Sequence, residues 1–356
     1  MPENRSLRPS RPTLNVGGQD QATLAEGLLE MKIIEDSQGL YSCEALFGNW
    51  GSTRNTTGYL YFDRRLLDFG KPFKVKLGAD ASSTIFDGRI MALEAEFPEG
   101  RAPELRILAE DRFQDLRMTR RTRTYTDMND ADIIRQIAGD HGLSADVDVQ
   151  GPTHKVVAQV NQSNLAFLRE RARTIDAELW MEGNSLIAKA HNARSRATVQ
   201  MAYRETLRSF TVIADLAHQR TSVTTSGWDV TSKKSLTFEA TEQAIRNELN
   251  GDEAGVSILA AKLGARKEVL AHSVPIHSAE AQAEAEAFFR MSARRFVVGQ
   301  GISEADPRLR VGNTVELSQL GPLFSGKYRL CEVRHIFDGR GIHSEFIAER
   351  PGLGKN

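Results

Sequence analysis

GPLFSGK, at 321–327, has the Gly, four-residue gap and Gly-Lys pair of a phosphate-binding loop. That loop needs a Ser or Thr next to hold magnesium, and a helix N-terminus facing the phosphates. Tyr328 follows instead, and YRLCEVRHIF reads as a strand, so nucleotide binding is rejected. His335, Asp338, His343 and Glu345 crowd one hairpin as metal ligands would. Register argues against them. With Phe337 opposite Ile342, His335 faces Ser344 and the two histidines point to opposite faces. His335 then reads as a half-buried core histidine. In IMALEAEF, Glu94 and Glu96 alternate with Met91, Leu93, Ala95 and Phe97, which makes them a solvated strand face rather than an acid–base pair.

RMTRRTRT sets Arg117, Arg120, Arg121 and Arg123 within seven residues. A nucleic-acid patch wants such charge on a basic domain with interleaved aromatics. Only Tyr125 follows, and the chain holds 46 Lys and Arg against 47 Asp and Glu, so the run reads as an intramolecular or inter-subunit salt-bridge strand. Trp228, in SGWDV, is expected to bury its ring in a core or an inter-domain seam. These four arginines and Trp228 are the candidate subunit or partner interface. Cys43 and Cys331 are solitary in strand-like segments and read as small buried apolar residues. No Gly-x-Ser-x-Gly, Cys pair or His-Glu-x-x-His occurs, so no catalytic, metal or cofactor-binding residue is nominated and no cofactor is expected.

At 356 residues the chain has length for two to three cores. It lacks an apolar run long enough for a membrane helix, and MPENRSLRPSRP has no signal-peptide core, so membrane insertion is not expected. Helices are expected from Asn129 (capping with Asp132, closing at Gly142), from Ser163 or Asn164, and from Ser278. Leu165, Leu168, Ala172 and Ile175 stripe the second helix, leaving Arg169, Glu170, Arg171 and Arg173 to solvent. Ala287, Phe288, Met291 and Arg295 stripe the third. The rest alternates as strands.

Those strands repeat. Val75 and Leu77 answer Val315 and Leu317; Phe86, Gly88 and Arg89 answer Phe324, Gly326 and Lys327. Glu94 answers Glu332, and Ala109-Glu110 answers Ala348-Glu349. The fold class is therefore α+β, mainly β: two similar β-barrels with an inserted small α/β module and a helical insert. The expected division is a flexible arm at 1–13, a first barrel at 14–120 and the α/β module at 121–195. The second barrel spans 196–235 and 297–352, around a helical insert at 236–296.

RRTRTYTDMNDADIIRQIAGDHGL, VNQSNLAFLRERARTIDAELWMEGNSLIAKA, SGWDVTSKKSL and GPLFSGKYRLCEVRHIFDGRGIHSEFIAERPG together resemble the late-control-D family of phage tail proteins. This is the baseplate hub family of contractile tails, with kin in the hub part of type VI secretion VgrG spikes and extracellular injection particles. The resemblance covers about 20–352. It implies a non-enzymatic homotrimer whose two barrels per subunit meet a hexameric inner tube or tube-initiator protein, beside other baseplate proteins. Many relatives carry a spike on the same chain; here a separate spike protein is expected, with assembly in the bacterial cytoplasm and residence in a virion or injection particle. The family name licenses no nucleic-acid recognition. A tail-associated cell-wall hydrolase and a receptor- or carbohydrate-binding tail module stay open beside the hub reading.

Overall fold

Alternating apolar and polar residues build the first barrel from β1 (Thr13–Val16), β2 (Leu28–Asp36), β3 (Ser42–Gly48), β4 (Pro72–Leu77), β5 (Ser83–Glu96) and β6 (Glu104–Glu110). The second uses β7 (Thr198–Ala202), β8 (Leu207–Ala214), β9 (Val297–Glu304), β10 (Thr314–Ser318), β11 (Gly326–Asp338) and β12 (Gly341–Arg350). The computed structural model describes residues 11–53, 56–78, 83–194, 197–229, 232–271 and 274–355. Most of the expected arm lies outside these residues. Arg11 does not: it donates to the carbonyls of Ala25 and Leu28 and lies over the Phe337 ring, 5.2 Å from its centroid.

Hydrogen bonding runs β2-β3-β6-β5-β4-β1 in one barrel and β8-β9-β12-β11-β10-β7 in the other. The second order is the first with six added to each number. One pairing differs in direction: β1 is antiparallel to β4, whereas β7 is parallel to β10. The bulges repeat too. An extra residue follows Leu28 against β3 and Leu207 against β9; another follows Ile90 against β6 and Leu330 against β12. Gly70 and Gly312, at φ +74 and +88, donate to the Ile90 and Leu330 carbonyls, respectively 2.8 and 2.9 Å away.

The ladders correct the sequence alignment. They equate Gly88 with Tyr328 and Arg89 with Arg329, not with Gly326 and Lys327, and place Ala92 rather than Glu94 opposite Glu332 in the comparison. The error is two residues, and an even slip keeps every side chain on its face, so alternation could not expose it. Ala109-Glu110 does correspond to Ala348-Glu349. Phe324 is not on a strand at all: it ends the single helical turn Gly321–Phe324, which runs into β11.

The barrels are joined edge to edge. β2 pairs antiparallel with β11 from Met31–Phe337 to Asp36–Glu332, so one sheet of 13 strands crosses both. Each barrel keeps its own apolar cluster, around Phe47, Phe73 and Ile107 in the first and Leu207, Tyr328 and Phe346 in the second.

Between them, the strand Arg120–Asn129 leads into α1 (Asp130–Asp140), and the strand Thr153–Ser163 into α2 (Asn164–Thr174). Asn129 and Ser163 cap these helices through side-chain bonds of 2.9 and 3.2 Å. The two halves repeat at a step of 34 residues, unread from the sequence: Asp127 and Asn161, then Gly142 and Asp176, take positive φ, and Asp130 and Asn164 are both buried. The hairpin Ala177–Glu182 with Ser185–Ala190 turns at Gly183-Asn184.

The helical insert carries its own sheet. Ser222–Asp229, expected in the second barrel, pairs with Lys234–Ala240 and Lys267–Leu270. Alongside lie α3 (Gly255–Leu263) and α4 (Ser278–Arg294). Ser278 is the first helical residue of α4 rather than its cap; Ala281, Ala285, Ala287, Phe289 and Ala293 are buried, and Phe288 packs half-buried against the cluster around Phe289.

Candidate assembly surfaces

The arginine run lies on and just before the strand Arg120–Asn129. Arg117 pairs with Glu110, and Arg123 reaches Asp140 at 2.7 Å and lies 5.8 Å from the Tyr125 ring centre. Arg120 donates to the Asn161 carbonyl at 3.2 Å, while Arg121 is exposed. Trp228 is elsewhere, on the sheet of the helical insert, and 52% exposed. The expectation that its ring is buried is therefore wrong. The preceding Gly227 explains the sequence: any Cβ there would run into the Pro275 carbonyl, so Gly227 rather than Trp228 meets the packed side. The structure does not bring Trp228 onto a common strand ladder with the arginines.

Sequence reasoning missed the charged seams. Glu178, buried on the first strand of the module hairpin, takes Arg194 at 2.8 Å, Arg329 of β11 at 3.1 Å and His191 at 2.7 Å. Burial opposes its charge, but the His191 bond and the Arg329 and Arg194 charges outweigh it and hold the carboxyl well below its usual range. Arg194 also lies 4.5 Å from the Trp180 ring centre and donates to the Tyr41 hydroxyl, tying module to first barrel. Arg294 of α4 clamps Asp176 and Glu248, with bonds of 2.5 to 2.7 Å. Arg171, expected in solvent, grips Asp130 at 2.6 Å, and Arg169 donates to the Gln38 and Gly39 carbonyls of the β2–β3 turn. His154 bridges Asp130 and Glu280, which raise its pKa to about 9. The signal available was a charge abutting an apolar run: Glu178 precedes Leu179-Trp180-Met181, and Asp130 opens a helix of isoleucines.

Asp111 lines a cavity of about 300 Å³ with Glu35, Tyr41 and Arg310. Burial pushes its carboxyl up to about 7 despite N–H bonds from Tyr41 and Phe113. Those bonds place it as a clasp for the chain at Tyr41 and Phe113. The hairpin of β11 and β12 takes the expected register, with His335 opposite Ser344 and His343 opposite Ile336. His335 is fully rather than half buried, bonded to Ser344 and the Leu309 carbonyl, and burial lowers its pKa to about 4. Among the described residues, no group of three or more His, Cys, Asp or Glu could hold a metal ion.

Two apolar features stand exposed among the described residues. One is an aromatic cluster beyond the end of β5. Tyr59 stacks on Phe62 at 4.9 Å and meets Trp50 edge-on at 5.2 Å, and Phe62 lies 5.8 Å from Phe97. Trp50, Tyr59 and Phe97 are all exposed. The reading of Ala95 and Phe97 as inward residues is overturned, because both face solvent in the chain. The other surface is β8, an outer strand of the large sheet that displays Ile213.

No curated protein sequence matches this chain. Among solved structures, the 43 kDa tail protein of prophage MuSo2 from Shewanella oneidensis superposes with a TM-score of 0.70 at 9% identity, covering 96% of this chain and 98% of that one. A tail protein from Neisseria meningitidis gives 0.69 at 13% identity, with 97% of each chain covered. An E. coli component of the type VI secretion system, described as structurally similar to T4 bacteriophage tail proteins, gives 0.62 at 10% identity, covering 96% of this chain and 79% of that one. The fold is thus that of phage tail and VgrG-like baseplate proteins. By sequence, residues 56–338 match the family model described as the Alg8 N-terminal domain, and the chain belongs to that family.

Proposed function

We propose that this chain is a structural, non-enzymatic hub at the baseplate of a contractile tail or injection device, of the late-control-D kind. In this reading it is a homotrimer that joins a hexameric inner tube, or its initiator, to a separate spike, among other baseplate proteins. It assembles in the bacterial cytoplasm and resides in a virion or injection particle. The observation that carries the reading is the duplication, strand for strand and bulge for bulge, of one barrel within the chain. A symmetric interface repeats the same contacts at every site. Three chains with two near-equivalent barrels offer six such sites, whereas three single barrels offer three. The tail-protein fold supports the same reading. The buried carboxylates of the seams are engaged by guanidinium groups, as a scaffold requires.

Native mass measurement of the full chain at several concentrations tests the reading. Three subunits are expected; a chain that stays monomeric or dimeric, including with a candidate spike bound, overturns it. A cell-wall turbidity assay with the same preparation is expected to show no clearing.

A further inference from the structure

Resting on the trimeric hub reading, we propose that β8 of one copy of this chain pairs with the far half of β5 in the next copy. The register is the one that already joins β2 to β11 inside the chain.

The argument is a transfer of ladders. β11 bonds β10 with its first residues and β12 along its length, then hands its free edge to β2 from Glu332 to Phe337. β5 bonds β4 and β6 in the same way, but among the described residues no strand takes its edge from Ala92 onward. β8 is the counterpart of β2, bonded to β9 on one side, and among the described residues no strand ladder covers its other side. One joint is filled and its equivalent stands open at both ends. The difference shows in exposure: Phe337 is 6% exposed under β2, while its counterpart Phe97 is 64% exposed.

Moving the β2–β11 register onto the equivalent residues sets Leu93 opposite Ala214, Ala95 opposite Val212 and Phe97 opposite Phe210. On the outer face, Glu94 meets Ile213. The occupant is a second copy because its edge carries the same bulge-and-strand pattern that β11 accepts within the chain. The contact would cover Phe97 and the aromatic cluster around it, the kind of group that anchors protein interfaces. It would also remove two open edges that otherwise invite uncontrolled pairing. A joint between different surfaces of identical chains either closes a ring or runs on as a fibre, and the hub reading supplies closure at three.

Facing residues of an antiparallel ladder stand within disulfide reach, and a shift of two residues moves them out of it. The full chain carrying Glu94→Cys and Ile213→Cys is therefore expected to give a covalent trimer on oxidation. Glu96→Cys with Ile213→Cys, and each single variant, are expected to give none. Phe97→Asp, at an exposed ring, is expected to keep the monomer's melting profile while weakening self-association roughly tenfold or more. A native trimer with no in-register cross-link, or one unaffected by Phe97→Asp, overturns this joint and leaves the hub reading intact. A wild-type chain that never trimerises overturns both.

Discussion

The two barrels keep one hydrogen-bond ladder and fill it with opposite distributions of bulk. In the first, β3 carries Cys43 and Ala45 at positions that face Ala109 and Ile107 of β6. The same positions of β9 are Gly299 and Gly301, facing Ala348 and Phe346. A Cβ at either glycine would overlap the Phe210 or Phe346 ring. Phe210 and Phe346 lie 6.3 Å apart, with Tyr328 5.6 Å from Phe210. The Tyr328 position is Gly88 in the first barrel, where Phe73 and Phe86 occupy the space instead. Volume removed from one strand is thus replaced from its neighbour. Ladder and bulges define the unit, while side-chain identity drifts under a constraint on total volume.

The sharpest way to break this comparison is to empty the second core. Phe346→Ala is expected to cost about 3–5 kcal/mol in chemical denaturation, as cavities left by buried aromatics do. Gly301→Ala should cost about 1–3 kcal/mol by overpacking. Adding Phe346→Ile installs the first barrel's Ala–Ile pair, and the double variant should be more stable than Gly301→Ala alone; strictly additive losses would refute exchange of volume between strands.

A chemical difference sharpens the contrast. His335 occupies the place held by Ala95 in the first barrel. Its folded pKa, lowered to about 4 by burial, lies below the ordinary value of 6.5. The unfolded chain therefore binds the extra proton first. This contribution to stability is intact above pH 6.5 and is lost as pH falls toward 4, by about 2 kcal/mol between pH 7 and 5. His335→Gln should flatten the acid limb of a stability–pH curve; an unchanged slope would show that other groups set it. The smallest effect expected is at Trp228. With its ring in solvent, Trp228→Ala should change stability by less than about 0.5 kcal/mol, and a large drop in melting temperature would return the ring to a packed seam.

Features specified by neighbouring residues were legible in the sequence. The caps at Asn129 and Ser163, the Gly183-Asn184 hairpin and the His335–Ser344 register follow from local chemistry and period-two alternation. The duplication was legible as an order of strands, yet its alignment slipped by two because alternation is blind to even shifts. The pairings of the seams were not legible: Glu178 and Arg329 lie 151 residues apart, and nothing local says which arginine a carboxylate beside an apolar run will meet. Phe97 was misread for a related reason. Its strand has the pattern of a buried one, which distinguishes a core from an interface only after the partner strand is known.

The joint between β2 and β11 also sets a timetable. Met31 meets Phe337 across nearly the whole chain, so β2 emerges from the ribosome long before its partner. At elongation rates of about 5–20 residues per second, that interval is roughly 15–60 s. Through it, β2 offers an unpaired edge to any β11 within reach, including one on a neighbouring nascent chain. Exchange of β11 between chains translated on the same message would give a swapped dimer with every hydrogen bond satisfied, so correct assembly is decided by rate as well as by stability.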